Sequence, residues 1–138
     1  MKIVVMDAQG GGLGRMLVEQ LKKALPDQPV LAVGTNAAAT ANMLKGGADQ
    51  AATGENAVRV NARDADLILA PIGMLLCDGM LGEVTAAMAL AIGRSPAHKI
   101  LIPTARCGIH VAGTESHTMA ELAAQAAAEA QRIIRQEI

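Results

Sequence analysis

Short apolar runs alternate with helical patterns along the whole chain, and this alternation restricts the fold more than any other feature. The apolar or β-branched runs that predict strands are 2–6, 29–33, 49–52, 66–71 and 99–103. The stretches with helical spacing are 13–25, 37–45, 55–63, 82–93 and 118–137. Strands separated by helices pair in parallel through right-handed crossovers. We therefore predict one α/β domain over residues 1–138, a three-layer Rossmann-like or flavodoxin-like sandwich of about five parallel strands with a long C-terminal helix.

The chain contains no Phe, Tyr or Trp, although 51% of its residues are hydrophobic. Leu, Ile, Val, Ala and eight Met must therefore fill the core, and unbranched Met adapts well to irregular gaps. The missing rings also limit function. A nucleobase has no aromatic side chain to stack on, and no tyrosine is present to act as a general acid.

Charge, termini and cysteines argue against several classes of partner. The 12 basic and 13 acidic residues leave a net charge of -1, so nothing attracts a polyanion and no nucleic-acid partner is predicted. The N-terminal apolar run, 2–6, is too short for a signal peptide or a membrane span. We expect a soluble, cytoplasmic protein with no membrane partner, in which Cys77 and Cys107 are reduced thiols.

A glycine-rich turn follows the first predicted strand and precedes the first helix. It comprises Asp7, Ala8, Gln9, Gly10, Gly11, Gly12, Leu13 and Gly14. Glycines let backbone N–H groups approach a phosphate at a helix N-terminus. The spacing fits neither G-x-G-x-x-G nor a P-loop, but it resembles the T-G-x-x-x-G-x-G turn of short-chain dehydrogenases. The turn predicts a phosphate site, or else serves only to pack the strand tightly against the helix.

Other polar residues and glycines follow the predicted strands at the same edge of the sheet, where ligands of parallel sheets bind. The residues predicted to contact a ligand there are Thr35, Asn36, Thr53, Glu55, Asn56, Pro71, Ile72 and Gly73. No carboxylate ends the second strand to hold a ribose hydroxyl, which weakens the case for NAD specifically. NAD(P) or another nucleotide is the predicted cofactor. Alternatively, Thr35 and Asn36 only cap the next helix.

Catalytic candidates are few. Without tyrosine the proton transfer of short-chain dehydrogenases is excluded. Cys107 and His110 could form a nucleophile and base with Arg106 on a phosphate, assisted by Asp78 or Glu83. The pair Cys107-x-x-His110, with Cys77 or His117, could also bind metal, but one such pair is a weak signal and no metal is predicted.

Several motifs together resemble the small bacterial family known as domain of unknown function 3842. They are 2–5 with Asp7 and 9–12, then 32–36, 52–57, 71–73, 82–83 and 99–103. The family's first turn reads D-G-Q-G-G-G-I-G, so Ala8 and Leu13 depart from it, and Ala8 reduces the room for a phosphate. The resemblance implies a Rossmann-like fold and no particular activity. It strengthens the prediction that the segment 53–56 belongs to the binding site.

Three functions are compatible with these patterns. The first is a nucleotide-binding homo-oligomer with phosphate on the glycine turn. The second is an enzyme that uses Cys107, His110 and Arg106 at the same edge. The third is a scaffold subunit with a purely structural turn, in which Gly11→Ala and Gly12→Ala change stability alone.

Overall fold

The computed structural model describes residues 1–104, 108–114 and 116–137. The strands are β1 (Ile3–Asp7), β2 (Val30–Gly34), β3 (Gln50–Thr53), β4 (Leu67–Pro71) and β5 (His98–Ile102). The helices are α1 (Gly12–Ala24), α2 (Ala37–Lys45), α3 (Glu55–Arg63), α4 (Ala86–Arg94) and α5 (Met119–Glu137), and a 3₁₀ helix spans Ile72–Leu75. Among the described residues, no helix is both long and apolar enough to cross a membrane.

The five strands form one parallel sheet in the order β3-β2-β1-β4-β5. Ile3 in the central strand pairs with Val30 on one side and Leu67 on the other. This confirms the predicted α/β sandwich. The order is that of a Rossmann sheet, whereas a flavodoxin sheet runs 2-1-3-4-5. The direction of strand addition reverses between β1 and β4, so the carboxyl ends of these two strands frame the position where such sheets bind ligands.

Helices cover both faces of the sheet because the right-handed crossovers run in opposite directions on either side of β1. On one face Val5 packs in a cluster with Leu21 of α1, Met43 of α2 and residues of α5. On the other face Met6 packs in a cluster with residues of α3, α4 and the 3₁₀ helix. Methionine fills core positions that rings often occupy, since Met6, Met43 and Met74 are fully buried. Met74 therefore belongs to this chain's own core.

Nearly all predicted elements match the structure within one residue at each end, but the fourth helix does not. The pattern predicts a helix over 82–93, whereas α4 begins at Ala86. Thr85 caps it by accepting a hydrogen bond from the N–H of Met88. The preceding β4–α4 loop, residues 76–85, contains left-handed backbone at Asp78, Met80, Leu81 and Gly82, which a helix does not tolerate.

Candidate functional site

The glycine turn turns the chain sharply from β1 into α1, and two of its glycines are required by close contacts. Gly11 has a φ of 73°, and a Cβ there would lie 2.7 Å from the backbone of Ala39. A Cβ on Gly14 would lie 2.8 Å from the Cβ of Asp7. Any larger side chain at Gly11 would therefore require the backbone to move. Gly10 and Gly12 differ, because a Cβ on either one would meet nothing within 4 Å.

Asp7 holds the turn together from beneath. Its side chain is buried, and its two oxygens accept hydrogen bonds from the N–H of Ala8 at 2.8 Å and the N–H of Gly14 at 2.7 Å. Burial raises the pKa of Asp7; the two hydrogen bonds oppose this effect, the nearby charge of Glu83 adds to it, and the net pKa lies above the ordinary value. Asp7 is thus a positioning group for the turn as well as part of a cavity wall.

Three backbone N–H groups of the turn have no acceptor within the described part of the chain. They belong to Gly10, Gly12 and Leu13, whereas the N–H groups of Gly11 and Gln9 are bonded to Ala8 and Glu83. Gly12 and Leu13 are the first residues of α1, where the helix dipole favours negative charge. The turn therefore retains donors that an anion could use.

A cavity of about 540 Å³ lies at the carboxyl ends of β1 and β4. Its walls are the turn together with aliphatic and methionine side chains; the lining residues are 7–13, Met16, Pro71, Met80, Thr104 and Met119. The hydroxyl oxygen of Thr104 is buried and has no hydrogen-bond partner in the described part of the structure. A buried hydroxyl normally has a hydrogen-bond partner, and no described residue supplies one to Thr104.

A second cavity, of about 420 Å³, adjoins the first and shares Thr104 and Met119 with it. His110 and His117 line this second cavity. His117 is paired through its Nδ1 with Glu121 at 3.4 Å, near the start of α5. The two histidines after β5 thus border a space next to the glycine turn, without lining the cavity that the turn itself forms.

Glu83 connects the β4–α4 loop to the ends of β1 and β2. Its Oε1 accepts hydrogen bonds from the N–H of Gln9 at 2.9 Å, the hydroxyl of Thr35 at 2.8 Å and the Nδ2 of Asn36 at 2.7 Å. Partial burial alone would raise the pKa of Glu83, but the three hydrogen bonds outweigh burial and lower it. The site therefore holds an ionised carboxylate beside the glycine turn.

The chain matches a known family of sequences over almost its whole length. The model of the family described as "Domain of unknown function (DUF3842)" matches residues 2–135. The chain belongs to this family. No curated protein matches it.

A solved structure with a similar chain is that of a dodecameric FMN-dependent UbiX-like decarboxylase from Escherichia coli O157:H7. It is 14% identical, with 99% of this chain and 95% of that chain covered, and the TM-score is 0.48. At this level of similarity, the decarboxylase bears on neither the ligand nor the activity of this DUF3842 member.

The structure brings only some of the predicted site residues to the cavity. Asp7, Pro71 and the turn residues 9–13 line it, whereas Gly14 packs beneath it. Ile72 and Gly73 lie in the 3₁₀ helix, outside the lining. The ligand contacts of these residues stay a prediction.

The predicted sugar or base contacts are engaged mostly with other protein groups. The Oδ1 of Asn36 caps α2 by accepting from the N–H of Ala39, and its Nδ2 donates to Gln9 and Glu83. The hydroxyl of Thr35 donates to Glu83 instead of capping the helix, so capping describes only part of the role of Asn36. The hydroxyl of Thr53 bonds that of Thr40, and the carboxylate of Glu55 bonds Thr85. Asn56 is exposed.

Only some of the catalytic candidates lie within the described residues. Arg106 and Cys107 lie outside the described residues, so the hypothesis of a nucleophile and base at Cys107 and His110 stays a prediction. His110 is exposed. Among the described residues, no group of three or more potential metal ligands comes together, and Cys77 is an exposed thiol.

Sequence reasoning missed the central position of Glu83. It appeared only as an assisting residue and as part of a family motif, because no local pattern links residue 83 to the end of β2. The one available signal was an acidic residue within a glycine-containing segment of the family motif. The contacts of Glu83 depend on the conformation of the β4–α4 loop. The sequence pattern predicts a helix from residue 82, whereas α4 begins at Ala86, so Glu83 lies in the loop.

Proposed function

We propose that this protein binds a small phosphorylated ligand, a nucleotide or dinucleotide, with its phosphate on the glycine turn. The observation that carries the proposal is the set of unpaired N–H groups at Gly10, Gly12 and Leu13, which belong to residues lining a cavity of about 540 Å³. That volume falls within the range typical of small-molecule sites. The turn also lies at the strand-order reversal, where parallel sheets bind nucleotides.

The rest of the cavity suits a partly apolar, planar group. Met16, Met80 and Met119 line it together with Leu13, and sulfur makes favourable contacts with aromatic rings. In a chain without aromatic side chains, methionine is the residue type best able to contact a nucleobase. The hydroxyl of Thr104, which has no partner among the described residues, belongs to another residue that lines this cavity. A nucleotide combines the anionic and the aromatic parts that these walls would recognise.

The direct test is the ultraviolet spectrum of the freshly purified protein. Because the chain lacks Trp and Tyr, it absorbs almost nothing near 280 nm, and a bound nucleotide would be visible near 260 nm. Titration calorimetry with NAD, NADP, ATP and 2′-deoxy-ATP then measures affinity for added ligand. We expect binding of at least one of them. No absorbance in the purified protein and no heat with any of the four would contradict the proposal.

A pair of alanine variants distinguishes phosphate binding from a structural turn. Gly12→Ala adds a methyl group where the structure offers open space, so the fold should be kept, but the methyl group would obstruct a phosphate at the N-terminus of α1. We expect affinity to fall about tenfold or more, the cost of losing one or two charged hydrogen bonds. The control is Gly93→Ala in α4, whose Cβ would meet only Leu75 at 3.9 Å.

Gly93→Ala should leave affinity unchanged and raise stability by about 1 kcal/mol, because alanine favours a helix. Equal affinities for the wild type and both variants would favour the scaffold interpretation. The scaffold alternative, in which Gly12→Ala changes stability alone, is decided by this comparison, and a Cβ at Gly12 would meet no atom within 4 Å. Homo-oligomer formation stays a prediction, to be measured by light scattering after size-exclusion chromatography.

A further inference from the structure

We infer that Glu83 accepts a hydrogen bond from the ribose 2′-hydroxyl of the ligand, so that the protein selects nucleotides with a free 2′-hydroxyl over 2′-phosphorylated ones. This inference rests on the proposed function and specifies the chemical class of its ligand. The position of Glu83, the second oxygen of its carboxylate and the hydrogen bonds of its loop support the inference.

The carboxylate of Glu83 lies beside the end of β2, although it comes from another part of the chain. In Rossmann sheets that bind NAD, an acidic residue at the end of the second strand accepts the ribose 2′-hydroxyl. Here β2 ends at Gly34, and Thr35 follows without a carboxylate. Glu83 fills the gap, because its Oε1 bonds both Thr35 and the N–H of Gln9 in the glycine turn.

The two oxygens of Glu83 are not equivalent. Oε1 accepts all three hydrogen bonds, from Gln9, Thr35 and Asn36, which saturates it. Oε2 accepts none from the described residues, and it is not among the buried atoms that lack a partner. One oxygen therefore fixes the carboxylate in place, while Oε2 keeps its capacity to accept a hydrogen bond. A hydroxyl that binds a charged acceptor forms a stronger hydrogen bond than one between neutral groups.

The β4–α4 loop is held by its own hydrogen bonds, which keeps Glu83 in position before a ligand arrives. The N–H of Asp78 bonds the carbonyl of Val84, and the N–H of Val84 bonds the carbonyl of Gly79. At the end of the loop, the hydroxyl of Thr85 donates to Glu55 at 2.6 Å. A preformed acceptor lowers the entropy cost of ligand binding.

The same geometry disfavours a phosphate on the 2′ position. The carboxylates of Glu83 and Asp7 are close enough for the charge of Glu83 to raise the pKa of Asp7. Within the described part of the chain, no Lys or Arg forms an ion pair with either of them. A 2′-phosphate would place like charges together, and proteins that accept it normally supply an arginine instead.

Two ligand pairs that differ only at the 2′ position test the inference. Titration calorimetry compares NAD with NADP, and ATP with 2′-deoxy-ATP, on wild type, Glu83→Gln and Asp78→Asn. Asp78→Asn is the matched control, because it removes one carboxylate from the same loop at an exposed position whose left-handed backbone asparagine tolerates. Circular dichroism confirms that each variant is folded before titration.

We expect the wild type to bind NAD at least tenfold more tightly than NADP, and ATP about tenfold more tightly than 2′-deoxy-ATP. Glu83→Gln should reduce both ratios severalfold, while Asp78→Asn preserves them. Binding of all four ligands without discrimination, or tighter binding by Glu83→Gln, would overturn the inference and leave the proposed function standing. Failure of all four ligands to bind to a protein that purifies without absorbance near 260 nm would overturn both. If Glu83→Gln is unfolded, the wild-type ratios alone decide.

Discussion

The two halves of the carboxyl edge differ in how completely their polar groups are paired. On the β2 side, Glu83, Thr35 and Asn36 bond one another and the glycine turn. On the β5 side, the hydroxyl of Thr104 is buried without a partner in the described structure, and His110 is exposed. The first half is built before any ligand binds, whereas in the second no described residue pairs with the Thr104 hydroxyl.

This difference has energetic consequences. Removing a paired buried group leaves its partner unsatisfied, which costs about 1–3 kcal/mol, whereas removing an unpaired one costs nothing and can stabilise the protein. Substitutions on the β2 side should therefore lower stability, and those at Thr104 should lower ligand affinity alone. The following predictions test this division.

The largest expected effect is at Gly11. Gly11→Ala combines a left-handed backbone with a Cβ at 2.7 Å from the backbone of Ala39. We expect a loss of about 3 kcal/mol in the free energy of unfolding, from backbone strain and overpacking together. Gly10→Ala, which meets no atom within 4 Å, is the control and should change stability by less than about 0.5 kcal/mol. Urea denaturation followed by circular dichroism measures both, and equal stabilities would show that the turn is not close-packed.

Asp7→Asn should cost about 2 kcal/mol, because an amide cannot accept from the N–H groups of both Ala8 and Gly14 as the carboxylate does. The pKa of Asp7 is raised in the folded protein, chiefly by burial. Native Asp7 therefore holds its proton more tightly than unfolded Asp7. Its contribution to the free energy of unfolding falls as pH rises from the unfolded pKa of about 3.9 to the raised folded pKa.

The pH dependence of this difference can be measured by urea denaturation across the acidic range. The stability gap between wild type and Asp7→Asn should be widest at the lowest pH and narrow as pH rises through that window. The pH dependence due to Glu83 has the opposite sign. Because its pKa is lowered, its contribution to the free energy of unfolding is lost as pH falls through the folded pKa. A gap that widens with rising pH would contradict the assignment for Asp7.

A pair of threonine variants compares paired and unpaired hydroxyls directly. The hydroxyl of Thr40 bonds the carbonyl of Asn36 and the hydroxyl of Thr53, so Thr40→Val should cost about 1–2 kcal/mol. Thr104→Val removes a hydroxyl that has no partner among the described residues, and it should leave stability equal or raise it by up to about 1 kcal/mol. For ligand binding we expect the reverse order, with affinity lowered severalfold only by Thr104→Val. Thermal unfolding measures the stability of both variants, and calorimetry measures their ligand affinity. The opposite order in either measurement would contradict the prediction.

The smallest expected change in stability is at Leu81. It stands at the tip of the β4–α4 loop with 96% of its surface exposed, so Leu81→Ser should alter the free energy of unfolding by less than about 0.5 kcal/mol. If Leu81 contacts another subunit, the same variant should lower the molar mass measured by light scattering. An unchanged mass would exclude Leu81 from such a contact.

The sequence by itself determined the elements and their class. Continuous apolar runs and helical spacing depend on neighbours along the chain, so β1 and α1 were predicted within one residue. The alternation of these elements implied a parallel sheet, and that implied which ends of the strands meet. The glycine turn was found in the same way, because a strand, a glycine cluster and a helix are adjacent in sequence.

Only the tertiary structure decided the order of the strands, the position of Glu83 and the burial of the Thr104 hydroxyl without a partner among the described residues. Glu83 bonds Gln9 across 74 residues and Thr35 across 48, and no local pattern reports contacts at such separations. The loop that brings Glu83 there has left-handed backbone at Asp78, Met80 and Leu81. The residue types at these positions do not predict this conformation. Propensity and periodicity are local, whereas the pairing of a polar side chain depends on what the whole fold places beside it.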